Sequence, residues 1–120
     1  MTENHPPLAP PLSTRAEDIE RASLSLKAMS HPLRLKILCV LGEREISVQD
    51  IVDAVGTTQS IISQHLAILR DKGILASRKE ANRVYYRVND ARTLRLISMM
   101  QDVFCPFSNP TLSSNTRTPT

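Results

Sequence analysis

"TQSIISQHLAILRDKG", residues 58–73, decides how the rest of the chain is read. On a helix of about 100° per residue, its apolar members Ile61, Ile62, Leu66, Ile68 and Leu69 share one arc, and His65 lies inside it. The opposite arc carries Gln59, Ser60, Ser63, Gln64, Ala67 and Arg70. A solvated helix face usually carries Lys and Glu, whereas the first half of this one carries short amides and hydroxyls. These groups both donate and accept, and a Gln amide can meet N6 and N7 of adenine together for roughly 1–3 kcal/mol of discrimination. Ala67 keeps the helix thin beside a thymine methyl. His65, by its angle, reads as a satisfied core histidine rather than a base contact.

Both flanks of the stretch agree with a base-reading role. Upstream, Ser47 and Asp50 resemble a capping box with Asp in place of Glu, and Ile51, Val52 and Val55 bury a short helix ending at Gly56. Thr57 or Thr58 then caps the quoted helix and Gly73 stops it. A short helix, a Gly-containing turn and a second helix make a helix-turn-helix, whose second helix puts its N-terminal residues on base edges in the major groove. Downstream, "ILASRKEANRVYYRV" changes to a period of two, with Val84, Tyr86 and Val88 alternating with Tyr85 and Arg87. It reads as a hairpin turning around residues 80–83, with Asn82 supplying the left-handed conformation. Arg78, Lys79, Arg83 and Arg87 make the hairpin basic. Uncharged contacts do not neutralise phosphates, so affinity has to come from such cations, and a basic hairpin in this place is a wing. A merely solvated face and hairpin is the plainer alternative, and the two flanks together argue against it.

Two further helices precede this core and one follows. Ile19, Ala22, Leu26 and Met29 form a stripe on the first; the second has Ser30 as its cap candidate, Pro32 in its first turn, the stripe Leu33, Ile37, Val40 and Leu41, and Gly42 at its end. Asn89 or Asp90 caps a last helix whose Leu96, Ile97, Met99, Met100, Val103 and Phe104 make an arc wide enough for more than one neighbour. The expected fold is mainly α with one hairpin, a winged helix-turn-helix over residues 16–105 in the order helix, helix, helix, helix, hairpin, helix. Residues 1–15 and 106–120, rich in Pro, Ser, Thr and Asn, are expected to be disordered tails.

Composition sets outer limits. One domain of 120 residues with 15 basic and 12 acidic side chains is mildly cationic, which suits a polyanionic partner. No apolar run approaches the roughly 18 residues of a membrane span, and prolines interrupt the N-terminal stretch where a secretory signal needs an apolar core, so a cytoplasmic location is expected. Cys39 and Cys105 are too few for a secreted disulfide framework and lack the Cys-x-x-Cys spacing of a thiol oxidoreductase; neither an enzyme nor a cofactor is expected.

"SHPLRLKILCVL", "TTQSIISQHLAILRDKGIL" and "RVYYRV" together resemble the ArsR/SmtB family of bacterial winged-helix repressors over roughly residues 16–105. The resemblance implies a homodimer joined by the first and last helices, bound to double-stranded DNA at an inverted-repeat operator and released by an inducer. Candidate DNA contacts are then Gln59, Ser60, Ser63, Gln64 and Arg70 on the helix and Arg78, Lys79, Asn82 and Arg83 on the wing. Where thiolate-type metal sensors of the family carry a Cys-Val-Cys motif stands "ISVQDI", and where zinc-type sensors carry Asp and His ligands stands "DARTLRLISMMQD". No metal site is expected, since two cysteines fall short of the four ligands of a structural zinc; a metal- or metalloid-responsive repressor is the alternative.

The cysteines instead resemble the pair of the family's dithiol branch, which implies that persulfide or another oxidant links Cys39 and Cys105 within one subunit and frees the operator. Cys39 lies with Leu35 off the main stripe of its helix, toward the last helix by angle, although a buried free Cys is more often simple packing. A thiol at a helix C-terminus feels the negative end of the dipole, so Cys105 needs cationic compensation, for which Arg34, Lys36 and Arg92 are the candidates.

Overall fold

The structure, a computed structural model, describes residues 12–105. The elements run α1 (Ala16–Met29), α2 (Pro32–Leu41), β1 (Ile46–Ser47), α3 (Val48–Val55), α4 (Gln59–Asp71), β2 (Leu75–Glu80), β3 (Arg83–Val88) and α5 (Ala91–Phe104). This is the winged helix-turn-helix the sequence predicts, with one strand added. β1 pairs antiparallel with β3 on the side away from β2, giving the sheet order β1-β3-β2. Two residues give no readable period, which is why β1 was not expected. Nearly all of the expected N-terminal tail and the whole of the C-terminal one lie outside the described residues.

Ile37, Leu38, Leu41, Ile51, Ile62, Leu66, Leu69 and Leu75 are the largest side chains withdrawn from water, and Tyr86, Val88 and Ile97 close the core around them. α2, α3, α4, the sheet and one edge of α5 therefore share a single centre. Ile61 and Ile68, expected on the buried arc of α4, stand exposed at 39% and 37%. The buried stripe Ile62, Leu66 and Leu69 is narrower than the apolar arc, and the two isoleucines flank it.

Local signals set the joints. Ser47 Oγ accepts from the Asp50 N–H at 3.2 Å and Thr58 Oγ1 from the Ile61 N–H at 3.3 Å, fixing the first turns of α3 and α4. Gly56, at φ 88°, turns one into the other. At the far end of α4, Gly73 N–H donates to Arg70 O and Ile74 N–H to Leu69 O, the paired bonds of a Schellman motif, which send the chain into β2. Two expectations are corrected. His31 caps α2, its Nδ1 accepting from the Leu33 N–H at 3.1 Å, while Ser30 Oγ donates to Lys27 O at the end of α1. In the wing, Ala81 rather than Asn82 takes the positive φ, 56°. A single positive φ at the first central residue is the type II′ pattern, which matches the twist of the strands and overrides the preference of the side chain.

Apolar surface remains on α1 and α5: Ile19, Leu24 and Leu26 on one, Leu96, Met99, Val103 and Phe104 on the other, with Phe104 75% exposed. Leu66, 1% exposed, holds α4 to the core. Its truncation to Ala is expected to cost about 2–5 kcal/mol, read from urea unfolding of the reduced protein; a loss below about 1 kcal/mol contradicts the packing described.

Candidate nucleic-acid interface and the thiol pair

Anchoring α4 through Ile62, Leu66 and Leu69 turns Gln59, Ser60, Ser63 and Gln64 outward, and all four are exposed. Ala67 is half-buried between them and the core. Gln59 and Ser63 line a groove of about 330 Å³ whose other walls are Ser47, Val48 and Gln49 at the start of α3 and Asn82, Arg83, Val84 and Tyr86 of the wing. Five residues from three elements thus open on one concavity: Gln59, Ser63, Asn82, Arg83 and Gln49. Gln49 was missed by the sequence reading because one exposed polar residue at a helix start carries no period. Its amide reaches Asp53 at 3.1 Å.

The cations divide into two groups. Among the described residues Lys79 and Arg83 form no ion pair, and both are exposed on the wing. Arg78 is engaged by Glu45 and Glu80, and Arg70, 46% exposed, reaches the Tyr86 hydroxyl and Asp71, both at 3.5 Å. Arg70 therefore ties the C-terminal half of α4 to β3 as well as contributing charge.

His65 lies on the inner side of α4, as its angle predicts. Its ring centroid is 4.5 Å from that of His31, and Arg34 Nη1 meets its Nδ1 at 3.3 Å while Arg34 Nε donates to Ala28 O at 2.6 Å. The recognition helix is thereby keyed to the α1–α2 corner. Burial first, then the His31 ring and the Arg34 charge, hold His65 below the usual histidine range.

Cys39 is half-buried on α2 and faces α5, in a groove of about 260 Å³ lined by Gly42, Glu43, Leu94, Arg95, Ser98 and Gln101. Burial raises its pKa, with the Gln101 hydrogen bond opposing and the charge of Cys105 adding to the rise. Cys105, the C-cap of α5, is exposed, and its N–H donates to Gln101 O at 2.7 Å. The three cations expected to compensate the thiols are occupied elsewhere: Arg34 at Ala28 and His65, Lys36 at Val55 O, Arg92 at Asp90. Arg95 is the cation that lines the Cys39 groove. No group of three or more His, Cys, Asp or Glu able to hold a metal occurs among the described residues, and none of their helices is long and apolar enough to cross a membrane.

A helix-turn-helix with an amide- and hydroxyl-bearing outer face, flanked by a basic wing, defines a DNA-binding regulator, and comparison with known proteins gives the family. A profile for bacterial regulatory proteins of the arsR family matches residues 31–77. The biofilm growth-associated repressor of Xylella fastidiosa is 35% identical over 93 residues, 74% of this chain and 82% of that protein. The structure of HlyU from Vibrio cholerae superposes with a TM-score of 0.73 at 35% identity, covering 76% of this chain and 99% of that one; a second, described as reduced HlyU, gives 0.71 at 36% identity over 74% and 94%. A winged-helix domain from Mycobacterium bovis, described as homodimeric, superposes at 0.69 with 29% identity over 80% and 89%. The chain belongs to the arsR family of bacterial regulatory proteins and is a DNA-binding transcriptional regulator.

The depressed pKa of His65 has a sign. Above about pH 6.5 both folded and unfolded forms hold it neutral; as pH falls, the unfolded chain takes the proton first, so stability declines from there down through the lower folded value. The urea midpoint is expected to drop between pH 7 and pH 5, and His65→Gln to remove part of that drop. An equal drop in the variant contradicts the burial of a neutral ring.

Proposed function

We propose that the chain is a homodimeric repressor that reads an inverted-repeat operator and leaves it when Cys39 and Cys105 are joined by a reactive sulfur species or another oxidant. In this reading Gln59, Ser60, Ser63 and Gln64 meet base edges, while Lys79, Asn82, Arg83 and Arg70 lie along the backbone. Dimerisation is supported by the apolar surface on α1 and α5 and by the homodimeric relative. Two-fold symmetry then sets two recognition helices about one DNA turn apart. Repression follows the biofilm repressor's name.

The observation that carries the sulfur reading is the groove that Cys39 of α2 shares with Ser98 and Gln101 of α5. Cys105 caps α5 one turn beyond Gln101, its N–H bonded to Gln101 O, so both cysteines lie toward the same end of that helix. Further support comes from the relative whose reduced form was described as such. In the chemistry proposed, the exposed Cys105 displaces one thiol from a low-molecular-weight disulfide or trisulfide. Cys39 then displaces the second, so two thiols leave per bridge and carry off both cysteine protons. A trisulfide leaves its central sulfur in the bridge, longer than a plain disulfide by about 2 Å on the S–S bond length.

A bridge from α2 to α5 couples a core helix to the dimer surface and resets the spacing of the recognition helices. Coupling of about 1–3 kcal/mol weakens operator binding 5- to 150-fold. Cys39→Ser is expected to bind operator as the wild type does and to stay bound after trisulfide treatment, with fluorescence anisotropy reading affinity and intact mass reading the bridge. Release of that variant contradicts the dithiol reading. Release of the wild type by stoichiometric metal without a mass change favours a metal-responsive regulator instead.

A further inference from the structure

Arg78 belongs by sequence to the basic wing, yet its guanidinium, though 48% exposed, is already paired within the chain. In the sheet register Arg78 of β2 stands opposite Tyr85 of β3, and Tyr85 stands opposite Ser47 of β1, so the three make one row across the sheet. The Arg78 side chain lies along this row. Its Cζ sits 4.8 Å from the centroid of the Tyr85 ring. Beyond the ring, Nε and Nη2 both reach Oε1 of Glu45 at 2.8 Å, in the turn between α2 and β1, while Nη1 is taken by Glu80 on its own strand. Glu45 is correspondingly held below the usual carboxylate range, chiefly by Arg78.

We propose that Arg78 makes no phosphate contact but straps the wing to the α2–β1 turn, so that Glu45 is a positioning residue for DNA binding. An isolated two-stranded ribbon twists and bends readily. Among the described residues the one strand that joins the ribbon to the body is β1, two residues long. The strap spans that joint and fixes where the tip, with Asn82 and Arg83, stands relative to Gln59 and Ser63 across the groove. For Arg78 to reach DNA it would have to exchange two carboxylates and an aromatic face for one phosphate. Among the described residues Lys79 and Arg83 have no such partners to give up.

The proposal rests on the wing acting as a backbone contact, and Arg83 serves as the control for that. Operator affinity is measured across a salt series for wild type, R78Q, E45Q, R83Q and the charge swap E45K/R78E. R83Q is expected to reduce the slope of log affinity against log salt by about 0.9, the loss of one phosphate contact. R78Q and E45Q are each expected to weaken binding by about three- to tenfold with the slope unchanged, and the swap to restore it. E45Q carries the sign: removing a carboxylate near DNA strengthens binding on charge alone, so weakening marks a positional role. Tighter binding by E45Q, or a slope reduced in R78Q as in R83Q, overturns the strap. An unchanged slope in R83Q overturns the wing as a backbone contact, and the strap is then decided by the swap, with rescue supporting it and no rescue overturning it.

Discussion

The arrangement depends on how α4 is rotated about its own axis. Three side chains, Ile62, Leu66 and Leu69, set that angle by entering a core built from α2, α3 and the sheet. Because they occupy one narrow stripe, the opposite face has no freedom to turn inward, and four uncharged polar side chains are held outward without the aid of salt bridges. A slip by one residue moves every side chain about 100° around the helix and takes Gln59 and Ser63 off the groove. The cap at Thr58 and the Schellman motif at Gly73 fix the ends of the same helix, so rotation and translation are both determined before DNA arrives. Such preorganisation lowers the ordering cost of binding.

Two layers of control are built around this helix. On its inner side the His31 and His65 rings and Arg34 key it to the corner between α1 and α2. On its outer side Arg70 meets Tyr86 on one face of the sheet, and in the proposed strap Arg78, Tyr85 and Glu45 hold the wing on the other. α5 touches the core through Ile97, with Leu94 and Met100 partly packed against it, and leaves Leu96, Met99, Val103 and Phe104 open. Cys105 caps that lightly held element and Cys39 faces it from α2, so the bridge proposed above would act where the helix is least tied to the centre.

Much of this was legible in the sequence, and the failures have physical causes. The helix-turn-helix could be read because Ser47, Gly56, Thr58 and Gly73 mark its joints with residues whose local chemistry is specific. The inward aspect of His65 and the turn of Cys39 toward α5 both followed from helix angle alone. Angle overstated the buried arc, however: Ile61 and Ile68 are apolar and fall near the stripe, but the core is too narrow to take them. The cap of α2 went to His31 because its ring nitrogen reaches the Leu33 N–H, leaving Ser30 to close α1. Gln49, Gln101, Arg95 and Glu45 were not legible, since each acquires its role from an element distant in sequence. Arg78 is the clearest case: composition places it with the wing cations, and only the folded contacts pair it with Glu45 and Glu80.

The direct test of the central claim is the specificity ratio of single variants on the outer face of α4. A duplex selected by the wild type from a randomised library and an unrelated duplex of equal length are compared at fixed salt for Gln59→Ala, Gln64→Ala and Ser63→Ala. If these side chains read bases, binding to the selected duplex falls by about 1–3 kcal/mol for a lost bidentate contact while binding to the unrelated duplex is unchanged. Equal affinities for the selected duplex in wild type and all three variants would contradict it, and would place recognition somewhere other than the outward face of α4.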